Sequence, residues 1–172
     1  PGGEVRTLMG GFVKMLSSVR SYVYLQTPYF MPNGSFMLAL KSAALSGVDV
    51  RLMIPEVCDN RIVGYASRSY LGDLLKVGVK VYLYRKGFIH SKAIVCDDYL
   101  SSVGSVNLDY RSFYYNFEVS AFVYDKAVAQ TLKNCLVEDL KHCRQLTLSE
   151  YHKRSLGERF IESSARLLSP LM

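Results

Sequence analysis

Between Tyr22 and Tyr84 the chain alternates short apolar runs with longer amphipathic stretches, and this alternation limits the fold more than any other feature. Residues 22–27 read as a strand, and Asn33 or Ser35 can cap a helix running through Leu45, with Gly47 as its stop. Residues 48–54 form a second strand closed by Pro55; a second helix covers roughly residues 60–76 and ends at Gly78; residues 79–84 form a third strand. A βαβαβ series predicts parallel strands joined by right-handed crossovers, hence an α/β fold. Helices are expected before and after it: residues 4–19 carry a stripe of Leu8, Phe12, Met15, Leu16 and Val19, and residues 126–140 one of Val128, Leu132, Cys135, Leu136 and Leu140. Residues 146–168 read as helical pieces interrupted at Gly157, the last of them amphipathic through Phe160, Ile161, Ser164, Leu167 and Leu168. That stripe is expected to pack on the domain rather than lie on a membrane.

The chemistry concentrates in residues 90–107, where His90, Lys92, Asp97 and Gly104-Ser105-Val106-Asn107 stand at fixed spacing. Residues 88–96 read as a half-buried strand, and side chains two apart leave a strand on the same side, so His90 and Lys92 share a face. Asp97 has the opposite parity and sits at the strand end, which suits a supporting role. Residues 100–104 form a second short strand reached through a tight connection, ending where Ser105 and Asn107 can point together. Residues 117–124 alternate Glu118, Ser120 and Phe122 against Val119, Ala121 and Val123, which puts one more carboxylate on a neighbouring strand face.

Together these groups suit a phosphate ester. Lys92 supplies a point charge, Ser105 and Asn107 supply neutral donors, and His90 can serve as nucleophile or as general acid and base near neutral pH. Glu118 is placed to hold His90 through its other ring nitrogen. Tyr29, in the loop of residues 28–33, either walls the site or covers the core together with Phe30. Arg111, in an expected helical turn over residues 109–113, either grips a second phosphate or pairs with a carboxylate. Arg61 and Arg68, seven apart, are read as a solvated helix face, and His142 and His152 as surface residues.

At 172 residues and 49% hydrophobic composition, the chain suffices for one domain with a sizeable core. Its net charge of +6 favours anionic partners without choosing between phospholipids and nucleic acids. Four cysteines, Cys58, Cys96, Cys135 and Cys143, lack CxxC spacing and read as reduced, partly buried thiols. No apolar run reaches the length that spans a bilayer.

The HxKx4Dx6GSxN pattern resembles the signature of the phospholipase D superfamily. A closer likeness, over nearly the whole chain, is to bacterial cardiolipin synthases. It is carried by Thr27-Pro28-Tyr29-Phe30-Met31-Pro32, by Asn107-Leu108-Asp109-Tyr110-Arg111-Ser112-Phe113, by Asn116-Phe117-Glu118-Val119 and by the ending Leu167-Leu168-Ser169-Pro170-Leu171. The resemblance implies a phospholipase D-like domain with a mixed, largely parallel sheet flanked by helices on both faces. It also implies that residues 1–172 are the second, C-terminal half of a longer, membrane-anchored bacterial protein whose first half carries the other motif. The implied activity is phosphatidyl transfer between two phosphatidylglycerol molecules through a phosphohistidine, with this half in a reducing, cytoplasmic compartment and inert alone. His90 would then be the acid and base, Lys92, Ser105 and Asn107 the phosphoryl donors, with Asp97 and Glu118 supporting; no metal or cofactor is implied. The alternative is a phosphodiesterase or nuclease working as a homodimer, although the resemblance outside the motif is to lipid enzymes and no nucleic acid is expected.

Overall fold

The computed structural model describes residues 7–171; residues 4–6 of the first expected helix fall outside it. The helices are α1 (Thr7–Ser18), α2 (Gly34–Leu45), α3 (Arg61–Leu75), α4 (Tyr110–Tyr114), α5 (Lys126–Leu140), α6 (Leu148–His152) and α7 (Leu156–Leu167). The strands are β1 (Tyr22–Gln26), β2 (Phe30–Met31), β3 (Asp49–Pro55), β4 (Lys80–Tyr84), β5 (Ala93–Cys96), β6 (Leu100–Gly104), β7 (Leu108–Asp109), β8 (Ser120–Tyr124) and β9 (Cys143–Leu146).

Seven strands form one mixed sheet in the order β8-β6-β5-β1-β3-β4-β9. Its centre is the expected parallel set, β1 against β3 and β3 against β4. Antiparallel neighbours extend it on both sides, β5, β6 and β8 beyond β1, and β9 beyond β4. The asparagine caps read from the sequence are present: the Asn33 side chain accepts from the Phe36 N–H, and that of Asn60 accepts from those of Ile62 and Val63.

All five residues of β1 are buried, because helices cover both faces of the sheet. Val23 and Leu25 point into the larger core with Phe12, Leu16, Phe36, Leu40 and Leu71. Tyr22 and Tyr24 point the other way, with Ala93 and Val95, against Ala129 and Leu136 of α5. A second, two-stranded parallel sheet pairs Phe30 with Leu108 and Met31 with Asp109. It ties the loop after β1 to the segment after Gly-Ser-Val-Asn.

Two expectations change. The last helix packs on the domain as foreseen, here against α3, but through the opposite side: Glu162 and Ala165 are buried, while Phe160 and Leu167 are 74% and 81% exposed. Buried Glu162 is neutralised by Arg154, so a polar seam faces the domain. Arg68 is not merely solvated: its Nη2 donates to the Glu56 carbonyl at 2.9 Å, whereas Arg61 is exposed. Of the four cysteines, which are all free, Cys96 is buried and Cys135 is exposed.

Gly104 holds its place in the motif for a steric reason. A Cβ there would lie 2.2 Å from the Val119 carbonyl oxygen and 2.6 Å from Ser120 Cα, so β8 can lie this close only to glycine. Gly104→Ala should therefore lower stability by roughly 1–3 kcal/mol in urea denaturation, by the cost of overpacking.

Candidate active site

The site begins where the β1–β5 ladder stops. Its last pair is Gln26 with Ala93. Continuing the register would set Pro28 beside Ser91, and proline has no N–H to give. The expected strand of residues 88–96 is therefore only Ala93–Cys96, and His90 and Lys92 lie in the segment leading into it. What joins these two residues is a hydrogen bond, Lys92 Nζ to the His90 carbonyl oxygen at 2.6 Å, rather than strand alternation. Ser91 between them donates to the side-chain oxygen of buried Gln26, which anchors the segment to the sheet.

The His90 ring is exposed and stands among aromatics, with centroids 5.3 Å from Phe88 and 6.2 Å from Tyr29. The Tyr29 hydroxyl donates to the Asp59 carboxylate, at 2.8 and 2.9 Å to its two oxygens. Burial and this carboxylate push the Tyr29 phenol well above its ordinary value. Tyr29 thus stands edge-on to the His90 ring, while Phe30 is wholly buried in the core.

Lys92 is half-buried, and burial pulls its ammonium below the ordinary value against the opposing charges of Glu118 and Asp109. No carboxylate among the described residues forms an ion pair with it. Its backbone carbonyl accepts from the Gly104 N–H at 3.3 Å, so Ser105 and Asn107 follow directly on the residue bonded to Lys92. The Asn107 side chain lies close enough to Asp109 to favour its charged form, and its buried Oδ1 has no hydrogen-bond partner. Asp109 is itself buried, which raises its carboxyl above the usual range, and it caps α4 by accepting from the Ser112 N–H at 2.7 Å.

Glu118 departs from expectation. It precedes β8 rather than lying on it, and its carboxylate takes hydrogen bonds from Ser105, from Ser112 at 3.3 Å and from Asn116 at 3.1 Å, not from His90. Ser105 in turn accepts from the Val119 N–H at 3.1 Å, so its hydroxyl braces β6 against β8 instead of standing free. Arg111 is exposed on α4 with no ion-pair partner among the described residues.

Asp97 is at the far end of β5, about 16 Å of extended chain from Lys92. Its carboxylate accepts from the N–H groups of Arg20 at 2.7 Å and of Ser21 and Tyr22 at 2.9 Å. With Asp98 it makes the turn into β6, both residues at positive φ of 50° and 52°. The sequence reading missed Asp59, Phe88 and the buried Gln26. Asp59 lies 31 positions from His90 and carries no local signal, whereas Asp109 sits in a capping pattern with Ser112 that could have been found.

The same fold occurs in solved structures. Nuc from Salmonella typhimurium, a phospholipase D family member, superposes with a TM-score of 0.71 at 20% identity, over 86% of this chain and 93% of that one. A phosphatidylserine synthase from Haemophilus influenzae gives 0.79 at 15% identity, over 96% of this chain and 45% of that one. These likenesses define the class by fold.

The family model "Cardiolipin synthase, PLD-like domain" matches residues 12–140. The major cardiolipin synthase ClsA of Bacillus subtilis is 48% identical, and a cardiolipin synthase of Listeria welshimeri 45% identical, each over all 172 residues of this chain and 36% of the relative. The chain belongs to the cardiolipin synthase family of phospholipase D-like domains. It spans about a third of the length of the curated relatives it matches.

If Asp97 acts as a bracket, Asp97→Ala should cost roughly 1–3 kcal/mol of stability, the range for hydrogen bonds to a charged acceptor, discounted for exposure. Urea unfolding followed by circular dichroism measures this, and an unchanged midpoint would contradict the bracket.

Proposed function

We propose that this chain supplies one half of the active site of a cardiolipin synthase, acting on phosphatidylglycerol together with a second histidine-bearing half of the same longer polypeptide. One observation carries the reading: Lys92 is a half-buried cation without a carboxylate partner, beside an exposed histidine. Such a cation is completed by an anionic oxygen of the ligand. The family relatives that cover the whole chain carry the cardiolipin synthase name, which favours a phospholipid over a nucleic acid as the source of that phosphate.

In this reading the histidine of the other half attacks phosphorus and forms the phosphohistidine, while His90 gives its proton to the departing glycerol oxygen. The hydroxyl of a second phosphatidylglycerol then loses its proton to His90 and displaces the histidine, giving cardiolipin and one glycerol. Lys92 and the Asn107 amide stabilise the charge that builds on the phosphoryl oxygens, commonly the larger share of such catalysis. Ser105 and Glu118 hold the corner from which Asn107 projects. Tyr29 orients the exposed His90 ring by edge contact, and Arg111 is available to the second headgroup. The reaction needs no metal, because Lys92 supplies the positive charge.

The test is phosphatidyl transfer with labelled phosphatidylglycerol, using the longer parent and this chain alone. In the parent, His90→Ala should lower transfer by at least ~10²-fold, the lower range of general acid–base assistance, with the unfolding midpoint unchanged because His90 is exposed. Transfer at the unaltered rate would remove His90 from the mechanism. This chain alone is expected to be inert, lacking the second histidine.

A further inference from the structure

Helix α7 sits on the domain with its polar side inward. At about 100° per residue, Leu156, Phe160 and Leu167 fall within about 40° of one another and roughly opposite the buried seam of Glu162 and Ala165. They are 81%, 74% and 81% exposed, while Ile161 and Leu168, 46% and 45% exposed, lie on the flank between this stripe and the buried seam. A surface helix ordinarily buries such a stripe, so its outward direction marks a contact that the fold itself does not make.

The charges around the stripe are lopsided. Glu158 is taken by the Ser155 cap and Glu162 by Arg154, while Arg166 pairs with Asp73. Arg159 and Lys153, both exposed, have no ion-pair partner among the described residues, and the whole chain carries +6. An outward apolar stripe with free cations beside it matches an anionic bilayer surface, in which leucine and phenylalanine sink below the headgroups and the cations stay among them. The helix also backs the site: Ala165 packs with Met31 and Ala66, and Tyr29, whose ring lies 6.2 Å from His90, packs on that cluster.

We infer that the outward stripe of α7, Leu156, Phe160 and Leu167, docks this chain on an anionic lipid surface and holds the His90 site close to its substrate. The choice of occupant rests on the phospholipid reading above, but docking is read without turnover, so a failure of either is seen separately.

The chain contains no tryptophan, so Phe160→Trp, at an exposed position, adds a single optical reporter. With vesicles of phosphatidylglycerol and phosphatidylcholine its emission should shift to the blue and be quenched by bromine-labelled acyl chains. Adding Leu156→Asp and Leu167→Asp should weaken vesicle partition by roughly tenfold or more, with the circular dichroism spectrum unchanged. Emission indifferent to vesicles would overturn the inference. So would a blue shift without lipid, whether it grows with protein concentration, as a second copy covering the stripe would give, or is complete in the longer parent, as its own chain covering it would give.

Discussion

Three backbone N–H groups at the entry to β1 converge on one carboxylate, that of Asp97, and the position of the reactive segment depends on this convergence. Asp97 and Asp98 sit in the left-handed region, a conformation that aspartate tolerates better than most residues. The Tyr22 hydroxyl bonds Asp98, and Lys133 of α5 pairs with the same side chain at 2.9 Å. The β5–β6 hairpin is thereby pinned at its turn to the first strand and to the helix covering that face. Fixing the turn fixes the register of β5 on β1, and so the point at which Pro28 ends the ladder and releases His90 and Lys92.

Charge placement in the site follows from what the carboxylates are already doing. Glu118 and Asp109 are close enough to act on Lys92, yet Glu118 is held by Ser105, Ser112 and Asn116, and Asp109 by the α4 N-terminus. Neither neutralises the lysine. A half-buried ammonium kept in that state favours an incoming anionic oxygen over any internal partner, because ligand binding then repays the desolvation. Asn107 Oδ1 is left unpaired in a buried setting, and as an acceptor it calls for a donor such as a hydroxyl, whereas only the Asn107 amide hydrogens can meet a phosphoryl oxygen.

The central parallel strands, their helices and the motif were legible in the sequence, because burial on both faces writes unbroken apolar runs and the asparagine caps mark helix starts. Four features were not. Residues 88–96 alternate like a strand, but the length of the pairing was decided by Pro28 on another strand. Phe30–Met31 is too short to show periodicity, and its pairing with Leu108–Asp109 is a tertiary event. Cys143–Leu146 is a polar edge strand recognisable only by its partner β4. For α7 the stripe was visible, but periodicity says that a face is apolar and not which way it turns; the Arg154–Glu162 pair decided that. In the site, Glu118 was found as a residue but misread as a partner of His90, because its place before β8 frees it to reach Ser105.

The account turns on whether Lys92 and Asn107 hold a phosphodiester beside His90. A ¹⁵N-detected NMR titration of the chain with glycerophosphoglycerol, the deacylated headgroup portion of phosphatidylglycerol, tests this without a membrane or a second half. The expected result is shifts concentrated at His90, Lys92 and Asn107, with binding weakened by Lys92→Met. Shifts centred elsewhere, as around Arg61 and Arg68, or affinity indifferent to Lys92→Met, would contradict it.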